Sequence, residues 1–248
     1  MPYLTMTIVG FSCAIAVVSM LYASVGQAGG SGYLAAMALL GFPPEVMKPT
    51  ALLLNILVAT ISTIKFSRAG HIGWGAFWPF AVTSVPAAFI GGMLPPPGAV
   101  YNNIVGGVLL YAAYQLWHTA TAARPGGIKP PPLWLALISG AGIGLLSGFT
   151  GVGGGIMFGP LLLGMSWAET KHTLGLSAAM NLSNSVAGLL GHVSSVKALP
   201  STIFLWAAAA MLGGWVGAEY GSRRFSHQTL QRLLAVVLSI AGLKLIIA

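Results

Sequence analysis

Charged side chains are scarce in this sequence. Asp, Glu, Lys and Arg make up 6% of the 248 residues, whereas hydrophobic residues make up 56%. Soluble domains carry about 25% charged residues, so a surface with so few charges cannot be exposed mainly to water. The composition excludes a soluble globular protein and predicts one membrane domain.

Cysteine is almost absent as well. Cys13 is the only one, and it lies inside an apolar run. A single thiol cannot form an intrachain disulfide, and one Cys cannot build a zinc or iron–sulfur site. No nucleotide-binding motif is present either, so we expect no cofactor and no direct use of ATP.

Acidic residues are rarer than basic ones, three against eleven, and the net charge is +8. A nucleic-acid-binding protein needs a basic surface that follows a phosphate backbone. Here the basic residues stand singly or in pairs between apolar runs, so we expect no nucleic-acid partner. The charges indicate membrane orientation instead, and the lipid bilayer is the expected partner.

Apolar runs fill most of the chain. A helix needs about 18–20 apolar residues to cross the hydrocarbon core. Two segments, 30–42 and 155–165, are shorter, since thirteen helical residues measure roughly 20 Å against a core of roughly 30 Å. The remaining runs predict full-length spans at 4–25, 47–66, 74–94, 99–118, 133–149, 172–192, 201–221 and 228–248.

The two halves of the chain resemble each other. A glycine-rich motif at 25–30, Val-Gly-Gln-Ala-Gly-Gly, corresponds to a second one at 150–155, Thr-Gly-Val-Gly-Gly-Gly. A helix break with a Glu follows in each half, and Lys-x-Thr then opens a long helix that carries Asn55 or Asn181. Such internal repetition indicates duplication. The predicted division is a first transmembrane repeat at 1–118, a linker at 119–132 and a second transmembrane repeat at 133–248.

The positive charges favour a topology in which the short segments also cross the membrane. With ten crossings, eight of the eleven Lys and Arg residues share one side, whereas eight crossings would divide them five against six. Cytoplasmic loops carry the excess of Lys and Arg. The sequence therefore predicts an all-α polytopic membrane protein with two inverted repeats of five helices each and both termini outside the cytoplasm.

Short helices at matching places in inverted repeats are typical of the substrate sites of secondary transporters. The first N–H groups of a helix have no partner within it, so inside a membrane they must face protein or a cavity. Glycine lets a ligand approach the backbone, and a helix start carries partial positive charge. We predict a site for a small anion at Gly29, Gly30 and Ser31 together with Gly153, Gly154 and Gly155.

Glycines also serve close packing of membrane helices. We predict that role for Gly140, Gly144 and Gly148 and for Gly213, Gly217 and Gly221, which recur at four-residue spacing. Consecutive glycines, as in the two repeated motifs, suit a turn better than a packing surface.

Uncharged polar residues follow each short segment. They recur every three or four residues on the second long helix, hence on one helical face. They could complete the binding site or form hydrogen bonds between helices. The residues on this face are Thr173, Ser177, Asn181 and Asn184 or Ser185, with Asn55 and Ser62 on the matching helix of the first half.

Lysines and glutamates flank the short segments, at Glu45 and Lys48 and at Glu169 and Lys171. They are expected near the membrane interfaces. Long side chains there extend toward water or form local ion pairs, and the alternative is a funnel that attracts anions.

Two other functions fit parts of the sequence. Residues 29–32 match the Gly-x-Ser-Gly pattern of intramembrane serine hydrolases, with Ser31 as nucleophile and His192 as base. In a chain with 34 glycines such a pattern arises easily by chance. A passive anion channel is the third alternative.

The paired motifs resemble the TauE/SafE sulfite exporter family, also called the 4-toluene sulfonate uptake permease family. The resemblance covers nearly the whole chain. It implies transport, often outward, of small sulfur-containing anions such as sulfite, sulfoacetate or other sulfonates across a bacterial inner membrane. It rests on the segments 44–52, 151–155 and 177–181, read as Pro-Glu-Val-Met-Lys-Pro-Thr-Ala-Leu, Gly-Val-Gly-Gly-Gly and Ser-Ala-Ala-Met-Asn.

The first glycine motif departs from the family pattern. It has Gln27 and Ala28 where the second motif has Val152 and Gly153. Gln27 is therefore an additional candidate for a substrate donor. The sequence leaves open the exact substrate, the coupling ion and whether copies associate as a homo-oligomer.

Overall fold

A computed structural model describes residues 2–95, 98–119, 129–192, 199–223 and 228–247. All regular secondary structure in these residues is helical. Residues 120–128 of the predicted linker lie outside the described part, and the division into two repeats stays a prediction. The helices are α1 (Pro2–Ser24), α2 (Gly30–Leu39), α3 (Pro44–Arg68), α4 (Trp74–Met93), α5 (Gly98–Thr119), α6 (Leu133–Thr150), α7 (Gly155–Gly164), α8 (Thr170–Gly191), α9 (Ile203–Arg223) and α10 (Gln228–Ile247).

The outer surface of the helix bundle is apolar. Phe204, Leu212 and Ile138 are 83%, 71% and 65% exposed, which suits contact with lipid. Among the described residues, four helices are long and apolar enough to cross a membrane: Pro44–Arg68, Trp74–Met93, Leu133–Thr150 and Ile203–Tyr220. The prediction of an all-helical polytopic membrane protein is confirmed.

The two short helices begin where the sequence predicts and end slightly earlier. The N-cap residues Gly29 and Gly154 both adopt left-handed backbone conformations. Each helix has ten residues, about 15 Å in length. The predicted ends at 42 and 165 are too late, because Gly41 and Ser166 have positive φ angles of 75° and 55° that interrupt the helix.

Helices of one half pack mainly against helices of the other. Under the proposed repeat, helices α1 to α5 correspond in order to helices α6 to α10. The contact of α1 with α9 then has its counterpart in that of α6 with α4. In the same way the contact of α3 with α9 corresponds to that of α8 with α4, and the contact of α2 with α10 to that of α7 with α5. The long helices α3 and α8, which correspond to each other, also pack against each other. This pairing is what two similar repeats would produce.

Glycines allow the closest of these contacts. A Cβ at Gly144 or Gly148 of α6 would lie 2.7 Å from a carbonyl carbon of α4, and one at Gly217 of α9 would lie 2.7 Å from a carbonyl carbon of α1. Side chains at these positions would push the helices apart. The predicted packing role therefore holds for these glycines.

Contacts at the helix ends show that α3 and α8 run in opposite directions. Lys48, near the start of α3, donates to Gly92 at the end of α4, and His192, at the end of α8, contacts the same carbonyl. At the other end, the ring of His71 just after α3 lies 6.3 Å from that of His172 in the first turn of α8. Ten crossings would require this arrangement. The inversion of the repeats stays a prediction.

Candidate substrate site

The loop before α7 has a backbone that favours glycine. Gly151, Gly153 and Gly154 have φ angles of 85°, 87° and 85°, a left-handed region in which other residues are strained. These conformations turn the chain from the end of α6 into the start of α7 within residues 150–155. The backbone of the loop is thereby placed next to α3 and α8.

Asn55 of α3 links this loop to the start of α2. Its Nδ2 donates to the carbonyl oxygen of Val152 at 3.1 Å and lies 3.4 Å from that of Gly151. A Cβ at Gly30 would collide with the same Asn55 nitrogen and would lie 2.8 Å from the Val152 carbonyl carbon. The first turn of α2 and the loop before α7 are thus in direct contact.

Asn181 of α8 makes a second link between the two glycine motifs. With its amide oriented to satisfy both neighbours, Oδ1 accepts from the N–H of Ala28 at 3.0 Å, and Nδ2 donates to the carbonyl of Gly153 at 2.9 Å. Asn55 and Asn181 are 0% and 2% exposed. The two predicted asparagines therefore lie at the junction of the halves.

The other carbonyl groups of the loop also have donors. The hydroxyl of Tyr101 donates to the carbonyl of Thr150 at 2.9 Å. The carbonyl of Gly154 accepts from the N–H groups of residues 157 and 158 at 3.1 and 3.0 Å. Every carbonyl from residue 150 to residue 154 is therefore engaged.

The start of α7 offers donors. The N–H groups of Gly155 and Ile156 precede the first hydrogen bond of α7 and have no partner within the helix. On α8, Ser177 Oγ lies 3.3 Å from the position of a Cβ on Gly159, and Thr173 lies beside the same glycine. Both side chains are buried, and neither hydroxyl has a hydrogen-bond partner among the described residues.

The loop before α2 is filled by an aromatic side chain instead. The ring of Tyr33 lies 2.9 Å from the position of a Cβ on Gly29. Its hydroxyl donates to the carbonyl of Ala28 at 2.7 Å and lies 2.6 Å from Ser19 Oγ. This phenol fixes the first glycine motif against α1.

Ser31 and Gln27 lie on the first-half side of the junction. The hydroxyl of Ser31 donates to that of Tyr22 at 3.0 Å, so it takes part in packing α2 against α1. Gln27 is half-buried, and its Oε1 has no partner within the part of the chain that the structure describes. The binding roles of both residues stay predictions.

Comparison with known proteins gives the family. The model of the sulfite exporter TauE/SafE family matches residues 11–245. The chain belongs to the TauE/SafE family. A relative from Sinorhizobium fredii (strain NBRC 101917 / NGR234), described as probable membrane transporter protein y4hK, is 42% identical over 241 residues, which cover 96% of this chain and 98% of the relative. No protein of known structure matches the chain.

Membership in the TauE/SafE family makes this chain a membrane transporter and excludes the hydrolase alternative. The geometry agrees. Ser31 donates to Tyr22, whereas His192 Nδ1 lies 3.2 Å from the carbonyl of Gly92. The nucleophile and base of a hydrolase would have to contact each other.

Lys48 of this TauE/SafE protein differs from the sequence-based expectation. The prediction that its side chain extends to water is wrong, because Lys48 is 0% exposed. Its ammonium donates to the carbonyls of Gly91, Gly92 and Leu94 at 3.3, 3.0 and 3.1 Å. The last carbonyls of a helix lack partners within it, and Lys48 supplies donors at the end of α4.

Ser84 of α4 and Ser147 of α6 also lie close to the site without having been predicted. Both are fully buried. Neither residue belongs to a glycine motif or to the polar face of α8, so the patterns in the sequence did not identify it. Only the packing of α4 and α6 against α8 brings them to the glycine loop.

Proposed function

We propose that this chain transports small sulfur-containing oxyanions, such as sulfite or sulfonates, by alternating access. Export is the expected direction, because the family description names an exporter. The observation that carries the proposal is the loop at residues 150–154, whose carbonyls are all engaged, beside a helix start that offers donors.

The electrostatics of the site favour an anion. A helix start carries roughly half a positive charge and directs its N–H groups at a ligand. Hydroxyl and amide groups without partners cost about 1–3 kcal/mol each when buried, and a bound oxyanion would accept from them. Binding without a charged side chain also permits release, which a transporter needs.

The burial of the site supports a carrier over a channel. Asn55, Thr173, Ser177 and Asn181 are each at most 2% exposed. A passive channel needs a continuous path to both sides, whereas a carrier passes through an occluded state. Saturable uptake and counterflow of sulfite in proteoliposomes would establish the carrier, and flux that rises linearly with concentration would establish the channel.

Ser177 and Ser183 provide a matched test of the site. Both are serines of α8, but Ser177 lies beside Gly159 in the second turn of α7 without a partner among the described residues. Ser183 instead donates to the carbonyl of Ala179 one turn earlier. Ser177→Ala should raise the concentration of labelled sulfite that half-saturates uptake about tenfold, which corresponds to the loss of one hydrogen bond to a charged group. Ser183→Ala should leave it unchanged. Equal effects of the two variants would contradict this placement of the substrate.

A further inference from the structure

Two basic side chains contact the same carbonyl group where α3, α4 and α8 meet. His192, the C-cap residue of α8, has its Nδ1 3.2 Å from the carbonyl oxygen of Gly92. The ammonium of Lys48 donates to that oxygen at 3.0 Å. His192 is 5% exposed and Lys48 is 0% exposed. A buried ammonium and a buried imidazole therefore lie side by side.

This contact fits a neutral imidazole. A carbonyl oxygen only accepts hydrogen bonds, so the tautomer assigned from the contact carries its hydrogen on Nδ1 of His192. Nε2 is then an acceptor, and it has no hydrogen-bond partner among the residues that the structure describes. A proton added at Nε2 would place a second positive charge beside Lys48, away from water.

No carboxylate is in place to balance that charge. The whole sequence has three acidic residues, so residues 193–198, which lie outside the described part, cannot supply one. Glu169 lies at the opposite end of α8, and Glu219 is paired with a lysine of α3 near the end of α9. Glu45, in the first turn of α3, is exposed and forms no ion pair with His192 in the described part of the chain.

The other groups packed around the imidazole are uncharged. Neither α4 nor α6 contains an ionisable side chain. Tyr101 of α5, on which Glu45 acts electrostatically, donates its hydroxyl to the carbonyl of Thr150. Within the described residues, the charged group that faces His192 is thus Lys48.

One turn of α8 separates His192 from a close contact of four helices. A Cβ on Gly188 would lie 3.1 Å from Gly148 of α6 and 3.5 Å from Leu52 of α3. A Cβ on Gly92 of α4 would lie 2.9 Å from the carbonyl carbon of Gly188. Because backbone touches backbone here, a changed charge at His192 cannot be relieved by small side-chain movements, and the helices themselves have to separate.

The proposed substrate site lies on the same face of α8. Ser177, Asn181, Asn184, Gly188 and His192 follow one another at intervals of three or four residues, which places them along one side of the helix. The contact at Gly188 therefore lies between the substrate site and the end of the bundle that holds Lys48. The imidazole is at the outer edge of this contact.

We propose that His192 is a proton-binding site that controls access to the substrate site. A proton bound at Nε2 separates the end of α8 from α4 and opens the substrate site toward Lys48, and loss of the proton closes it. Lys48 stays bound to α4 and provides the fixed charge that repels the protonated imidazole. The inference rests on the proposed function and adds the regulation of the same site.

Removal of the titratable ring tests this proposal. His192→Asn keeps an amide donor near the position of Nδ1 but cannot bind a proton. Exchange of labelled sulfite across proteoliposomes is measured for the variant and the unmodified protein from about pH 8 to about pH 5.5, on both sides of the ordinary His pKa of about 6.5. Sulfite also changes its charge in this range, so the two proteins are compared at each pH.

The ratio of the two exchange rates carries the result. The rate of the unmodified protein, relative to that of His192→Asn, should rise at least about threefold as the pH falls, and one proton permits at most about tenfold per pH unit. A ratio that stays constant would overturn the inference. His172→Asn is the matched control at the other end of α8, where the side chain is 43% exposed, and it should behave like the unmodified protein.

Thermal unfolding gives a second readout that does not depend on transport. The closed contact disfavours a proton on His192, whereas the unfolded chain binds it freely, so the melting temperature of the unmodified protein should fall as the pH drops below about 6.5. His192→Asn should show a smaller fall over the same range. An equal fall in both proteins would contradict the proposed role of His192.

The results separate the two proposals. If the unmodified protein exchanges no sulfite, the proposed function fails, and the pH dependence of thermal unfolding still tests His192. If exchange is present but His192→Asn follows the unmodified protein at every pH, only the inference about His192 fails. If His192→Asn does not fold, His192→Gln, which also lacks a titratable ring, replaces it in both measurements.

Discussion

The two glycine-opened helix starts are similar in sequence but differ in their surroundings. Before α2, Tyr33 fills the space beside Gly29, and its hydroxyl occupies the carbonyl of Ala28. Before α7, the amide of Asn184 lies beside Gly154 and has no acceptor within the described chain. The repeat therefore does not produce two equal half-sites: a phenol fills the space beside Gly29, whereas an amide without an acceptor in the described chain lies beside Gly154.

One pair of corresponding residues explains much of this difference. Tyr33 and Phe158 are the fourth residues of α2 and α7. Phe158 has no hydroxyl, and its ring packs on Phe80 of α4 with the centroids 4.9 Å apart. Phe158 therefore places no phenol beside Gly154, where Asn184, Ile143 and Ser147 lie instead.

The strongest test of the comparison concerns the inversion itself. In a Cys13→Ser background, Leu40→Cys and Met165→Cys place thiols at corresponding exposed positions just after the two short helices. If the repeats are inverted, an impermeant maleimide should label the two from opposite sides of the membrane. Ala69→Cys, at the exposed end of α3, should label from the same side as Met165→Cys. Labelling of Leu40→Cys and Met165→Cys from one side would exclude the inversion.

A smaller effect on the protein is expected from a substitution at the start of α2, where Tyr33 packs beside Gly29. Tyr33→Phe removes the hydroxyl that contacts Ala28 and Ser19, which should lower the free energy of unfolding by about 1–2 kcal/mol. The concentration of sulfite that half-saturates uptake should stay the same, because this hydroxyl faces protein rather than substrate. Thermal unfolding followed by tryptophan fluorescence, together with the flux assay, measures both. If Tyr33→Phe raised the half-saturating sulfite concentration and left the free energy of unfolding unchanged, the substrate would also contact the start of α2.

The smallest effect is expected on the pKa of His71, which lies in the turn after α3 and contacts the start of α8. Partial burial, followed by the charges of Lys171 and His172, lowers the pKa of His71 below its ordinary value of about 6.5. The folded protein thus disfavours protonated His71, and this contribution reduces stability as the pH falls below the ordinary value. Lys171→Gln should raise the pKa of His71, though not fully, because burial is the larger cause.

Histidine NMR in detergent micelles measures this shift, with His71→Asn to assign the signal. Lys129→Gln changes the charge of another exposed lysine and should leave the His71 titration where it was. A pKa of His71 that does not respond to Lys171→Gln would mean that the turn after α3 does not rest on α8 in solution.

Much of the fold could be predicted because it depends on local properties of the sequence. The apolar runs determine where helices form, and Gly29 and Gly154 mark the starts of α2 and α7. The positions of Asn55 and Asn181 near the glycine motifs follow from repetition and helical periodicity. These two predictions agree with the contacts that the structure places at the junction of the halves.

The differences between the halves could not be predicted in the same way. Asn184 lies on the predicted polar face, but its partner Ser84 is 100 residues away in sequence. The carbonyls that bind Lys48 are 43 to 46 residues from it. Such contacts depend on how α4 packs against α3 and α8, which no spacing within a single segment encodes.

The burial of Lys48 has a mechanical consequence. Its ammonium fastens the beginning of α3 to the end of α4 by three hydrogen bonds out of contact with water, and releasing them would leave a charge unsolvated. Lys171, the corresponding residue of the second half, is exposed and forms no such fastening among the described residues. If the proposed site opens by movement of helices, α3 and α4 are therefore expected to move as one rigid unit.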